Sequence, residues 1–97
     1  MAKAYWVATY RSVKDPDKLA EYARIAAPAM AEGGAKFLAR GMPAKVYEAG
    51  LNQRTVVIEF PSVEAAVRTH DSPGYQAALK ALGDSAEREI RIIEGVE

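Results

Sequence analysis

Few side chains in this 97-residue sequence have the chemistry to act on a ligand, so each can be weighed singly. Arg40 is the first. It ends an apolar run (Ala35-Lys36-Phe37-Leu38-Ala39) just before Gly41, and strict alternation puts it on the same face as Leu38. A guanidinium there is suited to a carboxylate or phenolate through paired hydrogen bonds. The competing reading is a strand-end arginine neutralised by Glu59 or by a partner subunit. His70 is the only histidine, and histidine is the side-chain type that ordinarily titrates near neutral pH. At the end of a helical stripe it is the candidate catalytic base, or else it packs with one hydrogen bond satisfied. Glu59, one residue from the end of a strand, needs a partner if it is buried, and Arg40 is the expected one. Trp6, Tyr10, Tyr22 and Tyr75 could line a pocket for a planar ligand or build plain core. Arg40, Glu59, Trp6 and Tyr75 are the candidate ligand-binding set, with Arg40 and His70 expected in one cavity.

What the sequence lacks is also informative. It has no cysteine, which excludes disulfides, thiolate metal sites and cysteine nucleophiles. One histidine without a second at ligand spacing gives no metal site, and no glycine fingerprint marks a dinucleotide or phosphate loop. No cofactor is therefore expected. Thirteen basic and thirteen acidic residues cancel, which argues against a nucleic-acid binder. No apolar run approaches the ~20 residues of a membrane span, and the start lacks the apolar stretch of an export signal, so a cytoplasmic protein is expected.

The elements that must hold these residues follow from periodicity and turn chemistry. Residues 3–11 read as a strand. Asp15-Pro16 caps and opens a helix whose stripe is Leu19, Tyr22, Ala26 and Met30. That helix runs past Pro28 to about Glu32, with Gly33-Gly34 as the left-handed stop. Residues 35–40 make a second strand, bent at Gly41-Met42-Pro43 and continued over 44–48, with a hairpin loop near 50–53. Residues 54–60 (RTVVIEF) are the clearest strand. Ser62 caps a helix with Val63, Ala66, Val67 and His70 on one face. Asp71-Ser72-Pro73 breaks it and starts a third helix with Tyr75, Leu79 and Leu82 inward, and residues 86–94 close the sheet. This is a single domain over 1–97 of the α+β class. It has the ferredoxin-like βαββαβ order, an antiparallel sheet with its helices on one face. Neither face of strands 3–11 and 54–60 is properly polar, so the open face is expected to be covered by a second copy of the chain.

Three segments resemble a known family: Phe37-Leu38-Ala39-Arg40-Gly41, Val57-Ile58-Glu59-Phe60-Pro61-Ser62, and Ser72-Pro73 followed by Tyr75-Gln76. Together with Trp6, the Ala-Ala-Pro of the first helix and the terminal Glu94-Gly95-Val96, they resemble the domain of unknown function 1330 family nearly end to end. The resemblance implies a dimeric α+β barrel, in which two ferredoxin-like subunits meet sheet to sheet. Proteins of that superfamily include antibiotic-biosynthesis monooxygenases, muconolactone-isomerase-like proteins and heme-dependent members. The family has no settled activity, so the resemblance implies a fold and an assembly rather than a reaction. Met42 stands where the family often has a second glycine. His70-Asp71 stands where an asparagine is common before Ser-Pro, so no role for His70 carries over. Three functions are then open: a monooxygenase or isomerase without a tightly bound cofactor acting on a planar organic acid, a dimer that binds a small metabolite without chemistry, or a purely structural dimer.

Overall fold

A computed structural model describes residues 2–96. The elements are β1 (Ala4–Val13), α1 (Pro16–Glu32), β2 (Lys36–Gly41), β3 (Thr55–Phe60), α2 (Val63–His70), α3 (Pro73–Leu82) and β4 (Ala86–Glu94). The four strands form one antiparallel sheet in the order β2-β3-β1-β4. Both βαβ halves contribute one central and one edge strand, as the ferredoxin-like order requires.

Local chemistry sets the helix ends. Asp15 accepts hydrogen bonds from the Asp17 and Lys18 backbone N–H groups (3.1 and 3.3 Å) ahead of Pro16. Ser62 accepts from Ala65 N–H, and Ser72 accepts from Tyr75 N–H. The stop of α1 differs from expectation in one detail. Gly33 is right-handed, and the left-handed residue is Gly34 (φ +84°). Gly33 is required for a different reason: a Cβ there would lie 1.8 Å from Thr69 Oγ1 on α2.

The core lies between the sheet and the helices. Alternation puts Ala4, Trp6, Ala8 and Tyr10 of β1, with Val56, Ile58 and Phe60 of β3, on the helix-facing side, all buried. Trp6 stacks on Phe60 at 5.8 Å between centroids and meets Tyr75 edge-on at 5.2 Å. The helices supply Tyr22, Ala26, Ala29 and Met30 from α1, and Tyr75, Ala78 and Leu82 from α3. On α2 the buried residues are Ala65, Ala66 and Thr69, while Val67, expected inward, is exposed. With only two turns, the helix is oriented by where Thr69 meets Gly33, not by its stripe of larger residues.

Two further expectations are corrected. Residues 44–48 do not extend β2; residues 42–54 form a loop of turns that leaves Met42, Tyr47 and Leu51 exposed. The register of β2 against β3 also shifts between Phe37 and Ala39. This bulge pairs Phe37 with Ile58 and Arg40 with Val56, so Arg40 shares the helix-facing side with Phe37 rather than following Leu38.

The opposite face of the sheet carries Tyr5, Val7, Val57 and Ile93, the last 60% exposed. Glu89 on this face accepts hydrogen bonds from Arg11 and from Arg91, and Arg11 above all holds its carboxyl below the usual range. Among the described residues no helix is long and apolar enough to cross a membrane.

The contact between Gly33 and Thr69 makes a prediction. Gly33→Ala forces α1 and α2 apart and costs about 1–3 kcal/mol, as overpacking does. In a chain of this size that lowers the melting temperature by roughly 4–8 °C per kcal/mol. A thermal melt unchanged by the substitution would contradict the close approach.

Candidate ligand-binding site

α1 packs chiefly against α3, and a cavity of roughly 220 Å³ remains between it and the β2-β3-β1 part of the sheet. Trp6, Val56 and Ile58 form its sheet wall, and alanines 23, 26, 27 and 31 its helix wall. Three arginines line it, Arg40, Arg54 and Arg88, and among the described residues no carboxylate does.

The sheet sets these three in a row. Arg40 is the penultimate residue of β2, opposite Val56, Arg54 immediately precedes β3, and Arg88 is the third residue of β4, opposite Tyr10. Tyr10 N–H donates to the Arg54 carbonyl at 3.0 Å, which ties the start of β3 to β1. Arg40 lies over the Phe37 ring at 5.1 Å, and Arg54 over Tyr10 at 5.8 Å. Arg54 Nε is buried without a hydrogen-bond partner.

Arg88 is the most enclosed of the three. Its Nη1 donates to Tyr10 Oη (3.0 Å) and Tyr22 Oη (3.1 Å), and its Nη2 donates to Tyr75 Oη (3.1 Å). Tyr22 and Tyr75 hydroxyls are 2.6 Å apart. Burial works against the charged guanidinium, but the phenol oxygens of Tyr22, Tyr75 and Tyr10 outweigh it and hold Arg88 above its ordinary value. Burial also pushes the Tyr75 phenol well above its usual range, with Tyr22 adding to the effect and Arg88 opposing it. Tyr75 is therefore a neutral hydroxyl at any working pH.

The residues singled out from the sequence are divided by the structure. Arg40 and Trp6 line the cavity. Tyr75 is fully buried beside it and contributes only through its hydroxyl. Glu59 lies on the open face of the sheet, 3.5 Å from Lys3 Nζ, because alternation on β3 separates it from Val56, Ile58 and Arg40. The expected Arg40–Glu59 pair is thus absent. His70 does not line the cavity that Arg40 lines. Its ring packs on Trp6 and Tyr75 at 5.7 and 5.2 Å, and its Nδ1 lies 3.0 Å from Asp71 Oδ1. Gln76 caps its carbonyl at 2.8 Å. The break between α2 and α3 closes over Trp6 and takes His70 with it. Arg54 and Arg88 were missed. For Arg88 a signal existed: Arg88, Ile90 and Ile92 alternate onto one face of β4, and a charge in line with two isoleucines is a buried charge.

This fold and these motifs place the chain in a family. It belongs to the family described as Domain of unknown function (DUF1330), whose model matches residues 3–96. Solved structures with the same fold include a protein of unknown function from Rhodopseudomonas palustris (18% identity, 99% of this chain and 84% of that one, TM-score 0.75). A dimeric ferredoxin-like protein of unknown function from Thermobifida fusca is also similar (17%, 97% and 92%, TM-score 0.65). So is SnoaB, a cofactor-independent oxygenase from Streptomyces nogalater (16%, 100% and 96%, TM-score 0.63). No curated protein matches the chain.

Trp6 is the sole tryptophan and is buried in the cavity wall. Its fluorescence is expected well to the blue of free tryptophan and poorly quenched by acrylamide. Emission at the wavelength of the free amino acid would mean that the cavity is open to bulk water.

Proposed function

We propose that this protein is a homodimer that binds a small planar organic acid in the cavity between α1 and the sheet. One observation carries the reading: an apolar cavity is lined by three arginines and, among the described residues, by no carboxylate. Arg88, the most enclosed of the three, is bonded only to neutral phenols, and a ligand anion would offset the cost of withdrawing its charge from water. The tryptophan, phenylalanine and tyrosine rings around it suit a flat apolar body behind the anionic head. Binding is favoured over acid–base catalysis because neither His70 nor any carboxylate reaches the cavity. The likeness to a cofactor-independent oxygenase supports a second reading, in which the bound acid is also the substrate of an oxygenation.

The dimer is proposed through the open sheet face. Tyr5, Val7, Val57 and Ile93 form an apolar strip there that the described residues leave partly exposed, and the similar protein from Thermobifida fusca is described as dimeric. Sedimentation equilibrium is expected to give twice the 10.5 kDa chain mass. A clean monomer at micromolar concentration would remove the dimer from the proposal.

Ligand binding is tested by thermal shift, since a ligand that binds only the native state raises the melting temperature by mass action. Aromatic carboxylates are expected to stabilise the protein, and their neutral amides to do so less. Arg40→Ala is expected to reduce the shift by about 1 kcal/mol or less while leaving fold and mass unchanged, because its guanidinium is exposed and screened. His70→Ala is expected to leave the shift intact. No shift with any acid in the panel would overturn the ligand reading.

A further inference from the structure

The hydroxyl protons around Arg88 can be accounted for one by one. Arg88 donates to all three phenol oxygens, so each hydroxyl already accepts a bond and has its own proton to place. Tyr22 and Tyr75 share one proton across their 2.6 Å contact. Tyr75 is 0% exposed, does not line the cavity, and has no acceptor other than Tyr22 among the described residues. A buried donor left unpaired is costly, so Tyr75 must be the donor in that pair. Tyr22 then keeps a free proton, and so does Tyr10, whose hydroxyl has no partner other than Arg88 among the described residues. Both residues line the cavity. Arg88 has used three of its five N–H groups, and Arg54 Nε close by is an unpaired buried donor. This end of the cavity therefore offers donors and positive charge, with the Tyr22 oxygen accepting from both Arg88 and Tyr75 and the Tyr10 oxygen accepting from Arg88.

We infer that Tyr10, Tyr22 and Arg88 form the receptacle for the carboxylate group of the bound acid, and that Tyr75 is a positioning residue that turns the Tyr22 proton toward it. The inference rests on the ligand reading above and narrows it. A carboxylate accepts at both oxygens and donates nothing, which matches a wall of donors. A cationic group of the same shape is rejected, because the guanidinium charges of Arg54 and Arg88 repel it. The acid enters head first, with its flat body held against Trp6 and its far end toward Arg40 and Phe37 at the outer strand.

Calorimetric titration with sodium benzoate tests this. Tyr10→Phe and Tyr22→Phe are each expected to weaken benzoate about tenfold or more, as loss of a hydrogen bond to a charged acceptor does. Tyr75→Phe is expected to weaken it by less than Tyr22→Phe, because Tyr22 keeps its own proton. Benzamidine, similar in shape but a cationic donor, is expected not to bind the unsubstituted protein. This arm decides the matter even if a variant fails to fold. Benzoate binding unchanged in folded Tyr10→Phe and Tyr22→Phe would show that the cluster only clasps α1 to the sheet. Benzamidine binding as well as benzoate would overturn the donor-only receptacle by itself. If benzoate does not bind the unsubstituted protein while other acids do, the receptacle fails and the broader ligand reading stands. If no acid binds, both fall.

Discussion

A guanidinium buried among phenols, with no carboxylate in reach, governs the interior of this protein. Arg88 joins β4 to β1 through Tyr10, to α1 through Tyr22 and to α3 through Tyr75. Four elements separated widely in sequence meet at one side chain. A carboxylate partner would have satisfied the charge locally and closed the site. Hydroxyls satisfy the geometry of the donors while leaving the net charge in place.

The cavity follows from how α1 is held. Tyr22 reaches across to Tyr75, which draws α1 toward α3 and leaves space over β2 and β3. Had α1 carried leucines instead of alanines at 23, 26 and 27, the gap would have filled with side chains. The site and the packing of the helix layer are therefore one arrangement, in which the bonds that order α1 also define the ligand end.

Much of the fold was legible because turn chemistry punctuates the chain. Asp15-Pro16, Ser62 and Ser72-Pro73 each begin a helix where their capping geometry says they should. Strand 54–60 alternated as read. The site was less legible for two physical reasons. A single bulge at Leu38 moved Arg40 to the other face, and a bulge is a register property that no local pattern in residues 35–41 announces. The Arg88 cluster joins residues 13, 66 and 78 positions apart, so its three tyrosines could be gathered as aromatics but not assigned a common partner. Glu59 and His70 drew notice for their chemistry alone, and their surroundings pair them with Lys3 and with the Trp6 and Tyr75 rings.

The alanine wall of α1 has a consequence for the thermodynamics of occupancy. Alanine has no side-chain torsion to change, so this wall has no alternative rotamers with which to collapse into the space it borders. Nor do those residues lose conformational freedom when a ligand arrives. On that side the cavity is preformed, and the entropic cost of binding falls on the ligand and on the long arginine side chains across from it. Enlarging the wall residues would shrink the range of acceptable ligands stepwise, methyl by methyl, without altering the charge that attracts them. In the proposed ligand reading, α1 then bears on size through its alanines and on the anionic head through Tyr22.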